Sequence, residues 1–391
     1  MKKKIAILGS TGSIGKSTIS IIKNDINNFN VILLSTNKNI TEIKKQCKIL
    51  KPKYLIINHY PSYIKFIQQN KNKKIKIFNN FLFNKKFFKK KLDYTISAVS
   101  GFAGLEPTLK IIPFTKTIAI ANKESLICGW NLLNKKINQY KTNFIPIDSE
   151  HFPIWSLIKN DNLNIEKIFI TASGGPFLNL NYNKLKNVKP AEAIKHPKWN
   201  MGKKISIDSA TLINKVFEII EAKKIFNLNI NKFEVLIHPD SYVHAIVKFK
   251  NGLTKILIHD TDMKIPIFNS LYKNSNYKTN FLNLNKLNNP NFKKVSSKKF
   301  PSLKLISYFE NIENSLYETV MVSANDELVD LFLNKKISFL EIVQKLIMIM
   351  NLKEFKKLKH IKPKNFNQIS NLNKYVRLKT KSLCVRSGRY V

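Results

Sequence analysis

The opening of the chain limits its fold more than any other stretch. Residues 4–8 read Lys-Ile-Ala-Ile-Leu, a short apolar run of the kind a buried strand supplies. It leads directly into Gly9-Ser10-Thr11-Gly12-Ser13-Ile14-Gly15. A helical period then carries Ile19, Ile22 and Ile26, and a second strand pattern follows at Val31-Ile32-Leu33-Leu34. Strand, glycine turn, helix and strand within about thirty residues make a βαβ unit, which requires a parallel sheet covered by helices. Further strand-like runs at 54–57, 75–77, 94–99 and 117–121 extend that sheet.

The expected fold class is therefore α/β, with a Rossmann-type doubly wound parallel sheet over residues 1–149 that binds a nucleotide. Glycines behind a first strand let the backbone turn tightly and approach a pyrophosphate held at a helix N-terminus. The spacing here is G-x-x-G-x-x-G, not G-x-G-x-x-G, so an ordinary strand–helix turn is the competing reading. The end of the second strand narrows the choice. A domain selective for NAD places an acid there to bond the ribose 2′-hydroxyl. This chain has Ser35-Thr36-Asn37-Lys38-Asn39, with no acid and one cation, which favours a 2′-phosphate and hence NADP(H).

From Ile168 the pattern changes. The runs IFITAS, VLIHPDSYVHAIVKF and LTKILIH suit a mixed or antiparallel sheet, with a helix expected over 211–226 between them. This gives a central α+β domain over 150–272, an Asn-, Lys- and Ser-rich connection over 273–302, and a C-terminal helical domain over 303–391.

Composition bears on partners. The 391 residues include 67 Lys and Arg against 25 Asp and Glu, a formal charge of +42. The lysines are scattered, Arg is rare, and the chain is also rich in Asn, Ile and Phe, the bias of an AT-rich genome. A nucleic-acid footprint requires clustered cations with interleaved aromatics, so no nucleic-acid partner is expected. A positive field would still attract phosphorylated metabolites. Cys47, Cys128 and Cys384 are odd in number and widely spaced, which fits a reducing compartment. The apolar run at 5–8 is too short for a signal peptide, and no segment approaches a membrane span. A cytoplasmic enzyme without a membrane partner is expected.

Against this excess of lysine, the stretch PIDSEHFPIW at 146–155 puts two scarce carboxylates around one serine. On an extended segment Asp148 and Glu150 face the same way, with Ser149 opposed, and offer a hard-oxygen pair to Mg²⁺ or Mn²⁺. A solvated turn is the plainer alternative. On the expected helix 211–226, Asn214, Lys215 and Glu218 share one face by i+3 and i+4 spacing. The plain reading of that trio is a surface Lys–Glu pair worth about 0.3–0.5 kcal/mol. Ser173-Gly174-Gly175-Pro176 would expose backbone N–H groups to an anion, and Ser209 and Thr211 would open the helix, capping it or binding a phosphate there. His196-Pro197-Lys198-Trp199-Asn200-Met201-Gly202 reads as a lid that excludes water, or as a loop anchored by its Trp.

Together these motifs resemble the 1-deoxy-D-xylulose-5-phosphate reductoisomerase family over most of the chain. GSTGSIG at 9–15, ANKES at 121–125, DSEH at 148–151, SGGPF at 173–177, HPKWNMGKKISIDSAT at 196–211 and NKxxExIEA at 214–222 occur in the family's order. The resemblance implies a homodimer with a Rossmann-type domain, a central metal-binding catalytic domain and a C-terminal helical bundle. It implies conversion of 1-deoxy-D-xylulose 5-phosphate and NADPH to 2-C-methyl-D-erythritol 4-phosphate, in the non-mevalonate isoprenoid pathway. By position it implies Asp148, Glu150 and Glu218 as ligands of one Mg²⁺, Mn²⁺ or Co²⁺ ion. Ser173, Ser209, Asn214 and Lys215 would form the phosphate pocket, Lys123 and Ser149 would bond substrate hydroxyls, and His196 and Trp199 would belong to the lid. Thr11, Gly12, Ser13, Ile14, Asn37, Lys38, Asn39, Asn122, Glu124 and Gly202 would contact NADPH.

Five residues depart from the family pattern. Asn37 stands where Gly is usual, Phe152-Pro153 replace a polar start, Asp240 replaces Gln, and Lys264 replaces Arg. Two other functions compete with the resemblance. One is a metal-free NADP-dependent hydroxy-acid dehydrogenase, which EDTA would leave active. The other is a basic nucleic-acid-binding protein, which would bind duplex in a salt-sensitive way and ignore NADPH.

Overall fold

The computed structural model describes residues 2–70, 74–84, 87–159, 164–199, 201–272 and 290–385. Most of the expected connection, 273–289 of 273–302, lies outside the described residues. Two compact units account for the rest. One takes the described residues within 1–125, 132–152 and 263–279; the other takes those within 126–131, 153–262 and 280–391.

The first unit is built on a seven-stranded parallel sheet of β1 (Lys3–Leu8), β2 (Phe29–Thr36), β3 (Tyr54–Ile57), β4 (Lys76–Phe78), β5 (Leu92–Ser97), β6 (Thr115–Ile120) and β7 (Asn143–Pro146). Its order is β4-β3-β2-β1-β5-β6-β7, with every neighbouring pair parallel. The order reverses between β1 and β5, and the crevice outside the carboxyl ends of strands at such a reversal is where α/β sheets bind ligands. The near-continuous apolar strands follow from burial on both faces: Ile5, Ala6, Ile7, Leu8, Leu33 and Leu34 are fully buried. The helix Lys264–Leu271 returns to this unit and packs against Ser13–Asn24. There Lys3 Nζ donates to the Leu271 carbonyl at 2.7 Å, and Tyr272 Oη donates to Asp25 at 2.5 Å.

The second unit carries a five-stranded mixed sheet of β8 (Ile165–Ala172), β9 (Phe233–Ile237), β10 (Val243–Phe249), β11 (Thr254–Ile258) and β12 (Lys293–Lys294), in the order β11-β10-β8-β9-β12. Only β8 and β9 pair in parallel. Its C-terminal part is helical, with Leu316–Leu333, Phe339–Met350 and Phe366–Val385 as the long elements. Two of these start at capping boxes, Ser315 with Glu318 and Ser338 with Glu341, where each pair satisfies two helix N–H groups. The fold class read from sequence therefore holds: a parallel α/β sheet, a mixed sheet with helices, and a helical C-terminus.

Among the described residues no helix is long and apolar enough to cross a membrane. All three cysteines are buried and none is in a disulfide.

Candidate active site

The glycine turn after β1 is shaped by two close approaches. Gly9 has φ +78°, and a Cβ there would lie 2.6 Å from the Ala98 carbonyl oxygen at the end of β5. A Cβ on Gly15 would run into the Gly9 carbonyl. Gly12 precedes the first turn of Ser13–Asn24, which holds no acid. The turn is tied to β2: Gly9 N–H donates to Ser35 Oγ at 2.9 Å, and the Thr11 and Thr36 hydroxyls bond at 2.7 Å. This is a cradle of backbone N–H groups at a helix start, suited to a pyrophosphate. Thr11 and Gly12 belong to that turn, and Ser13 and Ile14 open the helix behind it.

Asn37 and Lys38 are exposed just beyond β2. Asn37 does not adopt a positive φ, so Asn in place of Gly imposes no backbone cost there. The Asn39 side chain caps the helix Ile40–Leu50 by accepting from Glu42 N–H at 3.0 Å. Asn122 likewise caps Lys123–Gln139, accepting from Ser125 N–H at 3.1 Å, and its amide donates to the Val99 and Gly101 carbonyls. Glu124, on the first turn of that helix, is partly buried.

Residues 148–150 are a turn, not an extended strand, and lead straight into the helix His151–Ile158. The expected alternation of side chains therefore does not apply. Asp148 Oδ1 accepts from Glu150 N–H at 3.1 Å, and the Asp148 carbonyl accepts from Phe152 N–H at 3.1 Å. Ser149, expected to face away from the acids, instead donates its hydroxyl to the Glu150 carboxylate. Lys123 Nζ lies 3.0 Å from Asp148 Oδ2, and His151 Nδ1 lies 3.3 Å from Oδ1. Burial alone would raise the Asp148 pKa, but the Lys123 charge and His151 overcome it and hold the carboxyl well below its usual range. Asp148 and Glu150 are buried, so a solvated turn is excluded. Pro153 is the third residue of its helix, where the N–H would have no intrahelical partner, and Phe152 is buried in the core. That accounts for the apolar Phe-Pro at this helix start.

In the second unit the expected helix 211–226 is present as Ile213–Phe226, starting two residues later than expected, and a separate helix precedes it. Lys203–Ala210 ends at Thr211, Leu212 takes a left-handed φ of 56°, and Ile213–Phe226 begins after it. Ser209 thus sits in the last turn of one helix and does not open the next. Thr211 closes that helix, its hydroxyl bonding the Ile207 and Asp208 carbonyls. On the second helix Lys215 Nζ meets Glu218 Oε2 at 2.6 Å, with side chains only 7% and 0% exposed, and Asn214 donates to Glu218 Oε1. This is a buried pair, so the surface-pair reading is excluded. Removing either partner of such a pair costs about 3–5 kcal/mol.

Ser173 lies at the end of β8, where Gly174 and Gly175 have φ of +83° and +67°. A Cβ on Gly175 would lie 2.8 Å from the Ala210 Cα, so the serine turn is pressed onto the helix end that carries Ser209. His196 Nδ1 accepts two backbone N–H groups, from Lys198 at 3.2 Å and Trp199 at 3.0 Å. That fixes the proton of the neutral ring on Nε2, from which it donates to Ser173 Oγ at 2.9 Å. Burial, then the nearby Lys215 charge, pushes the His196 pKa down to about 4, so the ring is neutral at pH 7. Trp199 packs edge-on against His244, which stacks on His259 at 3.8 Å. Gly202 precedes the helix Lys203–Ala210 and is exposed. Of the departures, Asp240 forms only an exposed 3.6 Å pair with Lys198.

Sequence reasoning missed the His151 contact to Asp148, the tautomer of His196 and the buried Asp208; the i+3 spacing of Asp148 and His151 and the i+4 spacing of Lys204 and Asp208 were the available signals for the first and last.

Known proteins agree with this architecture. Residues 5–129 match the family model of 1-deoxy-D-xylulose 5-phosphate reductoisomerase; residues 144–226 and 258–379 match models of that enzyme's C-terminal domains. The reductoisomerase of Pelagibacter ubique is 56% identical over 388 residues, covering 98% of this chain and all of that protein. That of Wolbachia pipientis wMel is 39% identical, covering 88% of each chain. Among solved structures, a DOX-P reductoisomerase in complex with NADPH, fosmidomycin and magnesium superposes with a TM-score of 0.91 at 29% identity, over 99% of this chain and 100% of the other. The Zymomonas mobilis enzyme in complex with NADPH gives 0.86 at 30%, over 98% and 99%. The chain belongs to the 1-deoxy-D-xylulose 5-phosphate reductoisomerase family.

Proposed function

We propose that this chain rearranges and reduces 1-deoxy-D-xylulose 5-phosphate to 2-C-methyl-D-erythritol 4-phosphate with NADPH and one divalent cation, as a cytoplasmic homodimer of the non-mevalonate isoprenoid pathway. The observation that carries the reading is a set of buried carboxylates in a chain with a large excess of lysine. Asp148 faces Lys123 and Glu218 faces Lys215, each at salt-bridge distance. Buried carboxylates are costly unless something positive meets them, and these offer the hard oxygen donors that Mg²⁺ or Mn²⁺ takes. Asp148, Glu150 and Glu218 are the ligands in this reading. The Gly9 cradle and the acid-free end of β2, with Lys38 beside it, fit NADPH. Both solved relatives named above hold NADPH, and one of them also holds magnesium, which supports both assignments. The division into 1–149, 150–272, a connection at 273–302 and 303–391 belongs to the same proposal.

When bound, the cation supplies positive charge for the substrate's vicinal oxygens, and NADPH supplies the hydride. The chain's own residues do the rest. Lys123 holds Asp148 ionised and lies where it can donate to a substrate hydroxyl; Ser149 offers a second hydroxyl contact. Ser173, Ser209, Asn214 and Lys215 hold the phosphate through hydroxyls, an amide and a cation. Neutral His196 orients Ser173 and ties the backbone at 198–199 to it, and Trp199 covers the pocket against water.

NADPH oxidation followed with 1-deoxy-D-xylulose 5-phosphate, with Mn²⁺ and after EDTA, tests the reading. Turnover that requires the metal is expected. Full activity of the metal-free protein would instead favour a metal-free dehydrogenase.

A further inference from the structure

We propose that Asp208 is a positioning residue that sets the phosphate end of the substrate pocket by holding Ser209 and, through it, the Ser173 turn. The inference rests on the phosphate-pocket reading above. Asp208 is a carboxylate only 1% exposed, in the middle of the helix Lys203–Ala210. Its Oδ1 accepts from Asn325 Nδ2 at 2.9 Å, and its Oδ2 meets Lys204 Nζ at 2.8 Å. Asn325 is itself fully buried, on the long helix Leu316–Leu333. The Lys204 ammonium reaches on to Asp326 at 3.2 Å and lies 5.0 Å from the centre of the Phe217 ring. Arg377, on Phe366–Val385, clamps the same stretch through Glu327 at 2.9 Å and Asp330 at 2.7 Å.

A well-packed apolar side chain would anchor a helix at no greater cost than a buried carboxylate with its polar partners, so these bonds do more than add stability. Its directional bonds fix where the helix lies along and around its axis. That placement is handed on through backbone. The helix end is closed by the Thr211 hydroxyl, and the Thr211 carbonyl accepts from buried Ser302 Oγ at 2.6 Å. Ala210 presses against Gly175, and Ser209 is the residue next to Asp208, half-exposed at that contact. Shifting this helix therefore moves Ser209 and the turn bearing Ser173 together. Hydroxyls that grip a phosphate must sit within about 0.5 Å of their places.

The test uses the near-isosteric Asp208→Asn in the full-length protein. Both neighbours of Asp208 are donors, so the amide must turn its own NH₂ toward one of them and loses that bond. The KM for 1-deoxy-D-xylulose 5-phosphate and the Ki of inorganic phosphate as a competing anion should rise in parallel by about tenfold, with kcat changed less than about threefold. NADPH affinity, read by fluorescence titration, should stay within about twofold. A merely structural role would lower the melting temperature and the active fraction without moving the Ki of phosphate. If KM and Ki both stay at the wild-type values, the proposal is overturned. Should Asp208→Asn not fold, Asn325→Ser decides, with the same parallel rise expected at about threefold. A wild-type protein that neither turns over the substrate nor binds inorganic phosphate would overturn the functional reading instead.

Discussion

The acid–lysine pairs Asp148–Lys123 and Glu218–Lys215 are built by different means. Asp148 is held by backbone: its carboxylate takes the Glu150 N–H and its carbonyl takes the Phe152 N–H, with Lys123 and His151 added as side-chain partners. Glu218 is held by its own helix neighbours, Asn214 and Lys215, one turn away. The histidines differ in the same sense. His151 faces a carboxylate, whereas His196 feels the Lys215 cation and stays neutral. A carboxylate fixed by a turn keeps its place when a lysine is lost. One fixed by side chains does not.

The largest expected effect comes from removing the second carboxylate. Glu218→Gln should lower kcat by about a thousandfold or more while NADPH binding stays within about twofold, by stopped-flow and fluorescence titration. Full activity in this variant would sink the metal assignment.

Next in size is the comparison of the lysines themselves. Lys215→Met leaves a buried Glu218 without its cation and should cost about 3–5 kcal/mol in urea unfolding. Lys123→Met should cost less, about 1–3 kcal/mol, because Asp148 keeps a backbone N–H and His151. Equal costs would show that the turn does not hold Asp148 independently.

The histidine contrast has a pH signature. His196 has a folded pKa below its unfolded value, so between 6.5 and about 4 the unfolded chain binds more protons. Its neutral form therefore supports folding above that window, and the support is lost as pH falls through it. Nitrogen NMR of the ring should show Nε2–H from pH 7 to below pH 5, and Lys215→Met should move the titration upward. A His196 that titrates near its ordinary value would break the contrast.

The smallest effects belong to the end of β2. Lys38→Ala should raise the KM for NADPH by about five- to tenfold with little change for NADH. Asn37→Gly should leave NADPH kinetics within about twofold, because Asn37 is not in a left-handed conformation.

Local patterns were readable wherever the backbone itself imposes a period. The run at 4–8, the glycine turn and the apolar spacing of the first helix specified a βαβ unit. The i+3 and i+4 spacing of Asn214, Lys215 and Glu218 placed them on one helical face, since 3.6 residues per turn leaves no alternative. The acid turn was misread for the same reason in reverse. PIDSEH lies at a strand–helix boundary, and alternation holds only where the strand continues. The helix expected from 211 starts only at Ile213, because the left-handed Leu212 before it leaves no trace in hydropathy.

The sequence by itself determined the βαβ opening, the glycine turn after the first strand and the helical face shared by Asn214, Lys215 and Glu218. Tertiary structure alone decided which of those residues are buried and what each one meets. Asn325 reaches Asp208 across 117 positions, and Gly175 meets Ala210 across an intervening helix. Periodicity comes from hydrogen bonds between near neighbours and is written along the chain. Burial and long-range partners arise only when distant segments pack, and a carboxylate becomes a site only once that packing removes water from around it.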